Sequence, residues 1–197
     1  MCALFRNKYR IGSIRYRGYD YSSPGGYFIT ICTKNKIPYF GKINNGKMIL
    51  SELGNYLQNE WLKTPDIRPD MNITLDEFVV MPDHFHAIII IGENPYNTNH
   101  NMGNGRITMH GDSAKSIQNN QYKNQFGPQS KNVASIIRGI KSIVSTYARK
   151  TKQDFQWQSR FHDHIIRSNA GLNRIRKYIR ENPEKWTRFI GSLKGGL

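Results

Sequence analysis

Apolar positions recur along this chain at two spacings, every second residue and every third or fourth, and the switches between the two mark out its elements. Tyr27 to Thr33 (YFITICT) is β-branched and aromatic and predicts a strand, and Tyr39 to Leu50 reads as a hairpin turning at Asn44-Asn45-Gly46. Ser51 suits a helix N-cap, with Leu53, Tyr56, Leu57, Trp61 and Leu62 at helical spacing as far as Pro65. Two β-rich segments, Asn72 to Val80 and His84 to Ile91, flank the turn Met81-Pro82-Asp83 and predict an antiparallel pair at the sheet centre. Residues 92–131 lose periodicity and turn rich in Asn, Gln, Gly and Ser, which predicts a long flexible insertion that adds no core. Order returns at Val133 to Arg149, a basic amphipathic helix with Val133, Ile136, Ile137, Ile140, Val144 and Tyr147 on one face. Phe161 to Arg167 is the last strand candidate. Leu172 to Glu181 is the last helix, with Pro183 fixing its end.

Strands interspersed with two or three helices predict an α+β fold, an antiparallel sheet with helices packed on one face. At 197 residues there is material for one sizeable core, hence a single domain over 1–197 with a basic aromatic arm at 1–26. No apolar run approaches the roughly 20 residues that span a bilayer, and the start MCALFRNKYR lacks the marks of an exported chain. The two cysteines, Cys2 and Cys32, show no metal-ligand spacing and fit a reducing, cytoplasmic location.

Charge narrows the function. The 29 Lys and Arg against 14 Asp and Glu give a net charge of +15, spread along the chain, which suits a polyanionic partner or a basic solvated surface. In the arm, Arg15, Arg17 and Tyr19 offer cations and stacking rings to nucleic acid, and Arg138 and Lys141 do so on the basic helix.

Two constellations could carry chemistry. His84-Phe85-His86 opens an apolar strand, so both imidazoles share a face and can share one divalent cation with positions left open. The same pair also suits a half-exposed sheet face with no metal, and His162 and His164 repeat the spacing on another strand. The second constellation is Tyr178 with Asn182, one helical turn apart on one face. Asn182 also suits an N-cap for a turn begun by Pro183.

Taken together, MPDHFHAIIII, KYIRENPEKW, SIIRGIKSIVSTYARK, WQSRFHDHIIRS and RYRGYDYSSPGGYFITICTKN resemble the single-tyrosine, HUH-type transposases, in the branch associated with repetitive extragenic palindromes. The likeness covers nearly all the chain outside 92–131. It implies a ferredoxin-like sheet, His84 and His86 as metal ligands, Tyr178 as nucleophile and Asn182 as a third ligand. Phe85 matches the bulky apolar middle residue of the HUH motif, whereas Asp163 between His162 and His164 does not. The implied activity is cleavage and rejoining of single-stranded, hairpin-containing DNA through a 5′-phosphotyrosine link, with Mg or Mn. Two imidazoles favour Mn, Zn or Co over Mg. Related enzymes include monomers and homodimers. The alternatives are a non-catalytic, basic nucleic-acid-binding protein of the same fold and a hydrolase that uses water in place of Tyr178.

Overall fold

The computed structural model describes residues 19–98 and 130–194, with side chains as far as Trp186. Arg15, Arg17 and most of the expected insertion lie outside the described residues.

Four strands form the main sheet: β1 (Gly25–Cys32), β4 (Ile73–Val80), β5 (His84–Ile91) and β6 (His162–Ile166). Their order is β4-β5-β1-β6, with antiparallel pairing throughout. Helix α1 (Glu52–Leu62) follows β1, and α3 (Val133–Lys150) follows β5, which gives the ferredoxin-like succession of strand, helix, two strands, helix, strand. The strand β4 lies at an edge of the sheet rather than at its centre, because β5 turns its other side to β1.

Local chemistry sets these elements. Ser51 caps α1 by accepting a hydrogen bond from the Gly54 amide. Asn132 and Ser135 cap α3 reciprocally. Strands β2 (Gly41–Asn44) and β3 (Lys47–Leu50) form a separate hairpin. Asn45 and Gly46 take φ of 50° and 72° at its tip, the left-handed pair that a two-residue turn needs.

Strand alternation divides the apolar residues between two cores. Tyr27, Ile29, Ile31, Phe85, Ala87, Ile89 and Ile91 point to one face, where α1 and α3 cover them through Leu53, Leu57, Trp61, Ile136, Ile137, Ile140 and Val144. This is the helix layer expected of the fold. Ile88 and Ile166 point the other way, and there Leu172 and Ile179 of α4 (Asn169–Lys194) cover them. The uninterrupted Ile88 to Ile91 run reflects burial on both faces.

Helix α4 does not stop near Glu181 but continues through Pro183 to Lys194. An interior proline removes a backbone donor and costs about 3 kcal/mol. Contacts beyond it hold the helix: Trp186 packs on His84 with ring centroids 5.4 Å apart, and α4 lies against the β2–β3 hairpin.

The start of the expected insertion is also ordered. Asn94 and Asn97 are buried, and their amides donate to the carbonyls of Met71, Gly92 and Ser22. Side-chain amides can satisfy backbone without any apolar periodicity, so a pattern of hydrophobic positions does not register them. A short α2 (Thr64–Ile67) follows α1, and no helix among the described residues is long and apolar enough to cross a membrane.

Candidate functional site

The site is built where β5 meets α4. His84 and His86 stand on the face of β5 that α4 covers, two residues apart, with ring centroids separated by 4.6 Å. Cross-strand register places Thr30 of β1 beside His86 and Cys32 beside His84. The Thr30 hydroxyl lies 2.8 Å from His86 Nδ1, and an Asp83 carboxylate oxygen lies 2.5 Å from His84 Nδ1.

These two contacts orient the rings. A carboxylate can only accept, so His84 Nδ1 carries the hydrogen, and in the neutral ring Nε2 keeps a lone pair. If His86 Nδ1 likewise donates to Thr30, its Nε2 is also free to accept or to ligate. Burial, with His84 close by as the second cause, lowers the His86 pKa to about 3, so this ring is neutral at any working pH.

Helix α4 meets the pair with one stripe of side chains. Tyr178, Asn182 and Trp186 follow at intervals of four, hence on one helical face. The Tyr178 hydroxyl lies 3.2 Å from His86 Nε2, and Trp186 packs on His84. Asn182 falls between them on the stripe and is 7% exposed. Phe28 packs against both partners, stacked on His86 at 5.3 Å between centroids and edge-on to Tyr178 at 6.0 Å. Tyr178 itself is 42% exposed, so its hydroxyl borders both the imidazole and solvent.

Two adjacent carboxylates secure α4 at this height. The bond register between β4 and β5 slips between Leu75 and Phe78, a bulge in the Asp76-Glu77 segment. Arg176 holds Asp76 through Nε at 2.9 Å and Nη2 at 2.5 Å, and Arg180 holds Glu77 at 2.9 Å. These arginines flank Tyr178 in sequence.

The donor set fits a divalent cation. It offers two imidazole nitrogens whose other nitrogens are already engaged, and Asn182 lies on the α4 face that carries Tyr178 and Trp186 to them. Among the described residues no three His, Cys, Asp or Glu side chains are placed to hold one metal ion together, so such a site would be open, completed by oxygens from outside the chain.

The other candidates lie elsewhere. Tyr19 offers no stacking face: it is 7% exposed, packed edge-on against Tyr21 and Tyr27, with its hydroxyl 3.3 Å from that of Tyr27. A tyrosine in a basic arm has the same local pattern whether it stacks on bases or enters the core. Lys141 donates to the carbonyls of Gln158 and Arg160, both at 2.7 Å, tying α3 to the segment before β6. Arg138 is exposed on α3, across the sheet from Tyr178. His162 and His164 flank Thr30 and Phe28 on the α4 side, one strand beyond His86. Sequence patterns missed Thr30, Phe28, Asp83 and Trp186. Asp83 adjoins His84 and so was within reach, but Thr30 and Phe28 arrive only through strand register.

No family model matches the sequence. An uncharacterized protein of Haemophilus influenzae is 38% identical over 178 residues, covering 88% of each chain. The structure of a REP-associated tyrosine transposase bound to a REP hairpin is 20% identical, covers 88% of this chain and 74% of that one, and superposes with a TM-score of 0.54. A crystal structure of a Deinococcus radiodurans protein, 16% identical, covers 85% of this chain and 96% of that one at a TM-score of 0.41. The chain therefore belongs to one family with the Haemophilus influenzae protein, and its fold is that of the REP-associated tyrosine transposase.

Proposed function

We propose that this protein cleaves and rejoins single-stranded DNA, with Tyr178 as the nucleophile and His84, His86 and Asn182 as the ligands of a divalent cation. The observation that carries this reading is the meeting of Tyr178 with His86 at 3.2 Å inside one chain, across 92 residues of sequence. The transposase of the same fold was solved with a REP hairpin, which supports hairpin-forming DNA as the substrate.

The chemistry is a transfer at phosphorus. The Tyr178 oxygen bonds to the scissile phosphorus as the bond to the 3′ oxygen breaks; the phenol gives up its proton and the departing strand end takes one. A 5′-phosphotyrosine and a free 3′-hydroxyl result. Attack by a 3′-hydroxyl on that ester restores the phenol and a DNA linkage, so rejoining needs no external energy source. A divalent cation, Mn or Mg, would supply Lewis-acid stabilisation of the charge that develops on the phosphate oxygens.

The chain's own residues set the geometry. Asp83 and Thr30 hold the two rings through Nδ1, which turns His86 Nε2 toward the Tyr178 hydroxyl. A ring as weakly basic as His86 is a poor acceptor for a phenol's proton, which suits it to holding a ligand and orienting Tyr178 rather than to general-base catalysis. Phe28 and Trp186 wall the site with aromatic surface.

The test uses labelled hairpin DNA with a single-stranded flank, incubated with the full chain and Mn and run on a denaturing gel. The wild type should yield a protein-linked labelled band. Tyr178→Phe should lose it while still binding DNA, and His84→Ala or His86→Ala should lose the metal-dependent adduct. An adduct that survives in Tyr178→Phe overturns the assignment, and cutting without an adduct in that variant selects a hydrolase that uses water.

A further inference from the structure

Beside the site, a cavity of about 410 Å³ opens between the edge strand β6 and the first turns of α4, lined in part by Tyr21, His164, Arg167, Ser168, Arg174 and Ile175. It belongs to the same sheet face as the imidazole pair. Thr30 is partnered by His86 on one side and His162 on the other, and Phe28 by His164, so these residues form one continuous surface under α4. Asp163 also borders the cavity, from a strand position whose side chain points to the opposite face.

Arg174 precedes Tyr178 by one helical turn and shares its face, with Cβ atoms about 5–6 Å apart. The remaining described cations of α4 are engaged: Arg176 with Asp76, Arg180 with Glu77, and Lys177 and Lys185 with Glu181. Among the α4 residues whose side chains are described, as far as Trp186, Arg174 is the cation without a carboxylate partner. A guanidinium in that state, facing a cavity that holds a second arginine, suits a phosphate.

We propose that this cavity is a phosphate subsite for the DNA strand, in which Arg174, with Arg167 beside it, holds a phosphate adjacent to the one that Tyr178 attacks. The inference rests on the strand-cleavage reading for its choice of ligand. Such a contact positions the strand without reading its sequence, and fixes which phosphate reaches the tyrosine.

The test measures binding of a fluorescent hairpin oligonucleotide with a single-stranded flank to the full chain, by anisotropy over a salt series without metal. Arg174→Ala should weaken binding about 5- to 10-fold and lower the slope of log K against log[salt] by roughly 0.7 to 1. Arg174→Lys should keep most of the slope, and Lys177→Ala, which removes an equal charge from another side of the helix, should keep it. A scan of neutral methylphosphonate linkages should find a position that weakens the wild type but not Arg174→Ala. Unchanged affinity and slope in Arg174→Ala, an equal loss in Lys177→Ala, or a scan with no position coupled to Arg174 overturns the subsite. The wild-type adduct assay, run alongside, separates the two ideas. An adduct with no Arg174 dependence of binding sinks the subsite alone, whereas a phosphate coupled to Arg174 with no adduct sinks the cleavage reading alone.

Discussion

Each imidazole of the pair is tied through Nδ1, His84 to a carboxylate and His86 to a hydroxyl, and this fixes which nitrogen can take a cation. If that is their use, Thr30→Val, which keeps the shape and loses the hydroxyl, should weaken Mn binding about 10- to 100-fold by calorimetric titration. Asp83→Ala should do likewise and Asp83→Asn less, since an amide oxygen still accepts from Nδ1. Unchanged Mn affinity in both Thr30→Val and Asp83→Ala would show that the rings are held some other way. At this scale the sequence exposed the residues that follow a simple period: His84 and His86 by strand alternation, Tyr178 and Asn182 by the helical repeat. It hid the ones that support them. Thr30 sits 56 positions from His86, and nothing local distinguishes it from any other strand threonine. Tyr19 failed for the same reason, because a ring's neighbours come from tertiary packing.

Helix α4 shows how elements register one residue against another. The β4 bulge offers Asp76 and Glu77 to Arg176 and Arg180, and Tyr178 lies between those arginines along the helix. The Asp76 carboxyl, 10% exposed, is held below its ordinary pKa chiefly by its hydrogen bonds to Arg176, against the opposing effect of burial. A depressed carboxylate stabilises the fold above its unfolded pKa, near 4, and loses that contribution as pH falls through the lower native value. Asp76→Asn should therefore cost about 1–2 kcal/mol at pH 7, and the gap from wild type should narrow well below pH 4, read as urea midpoints at both ends. A gap that stays constant with pH would mean that the charge contributes nothing. Neither the bulge nor the passage of α4 through Pro183 was legible in the sequence. Bulges leave no periodic mark, and a proline is a stop signal that contacts on either side can override.

Across the whole molecule, the sheet carries two cores of unequal size. Among the residues whose side chains are described, the core under α1 and α3 spans more than twenty buried residues, whereas α4 packs on Ile88 and Ile166 through Leu172 and Ile179, with a few half-buried neighbours. The apolar pattern predicted helices on one face of the sheet and marked the Ile88 to Ile91 run as buried; the second layer, with the tyrosine helix lightly anchored on Ile88 and Ile166, came only from the structure. Burial of apolar area sets how firmly an element is held, so α4 should open sub-globally before the rest of the fold. Native-state hydrogen exchange should find the amides from Leu172 to Ile179 less protected than those from Ile136 to Val144. Ile179, 1% exposed, is the residue to truncate: Ile179→Ala should cost about 2–5 kcal/mol in the stability of α4 and accelerate exchange there far more than in α3. Equal acceleration in both helices would show one cooperative unit and remove the basis for treating α4 as separable. If α4 alone accelerates, the nucleophile is carried on the least stable layer of the protein. The ion pairs at Asp76 and Glu77 then have a purpose, since they hold Tyr178 at His86 where apolar burial is thinnest.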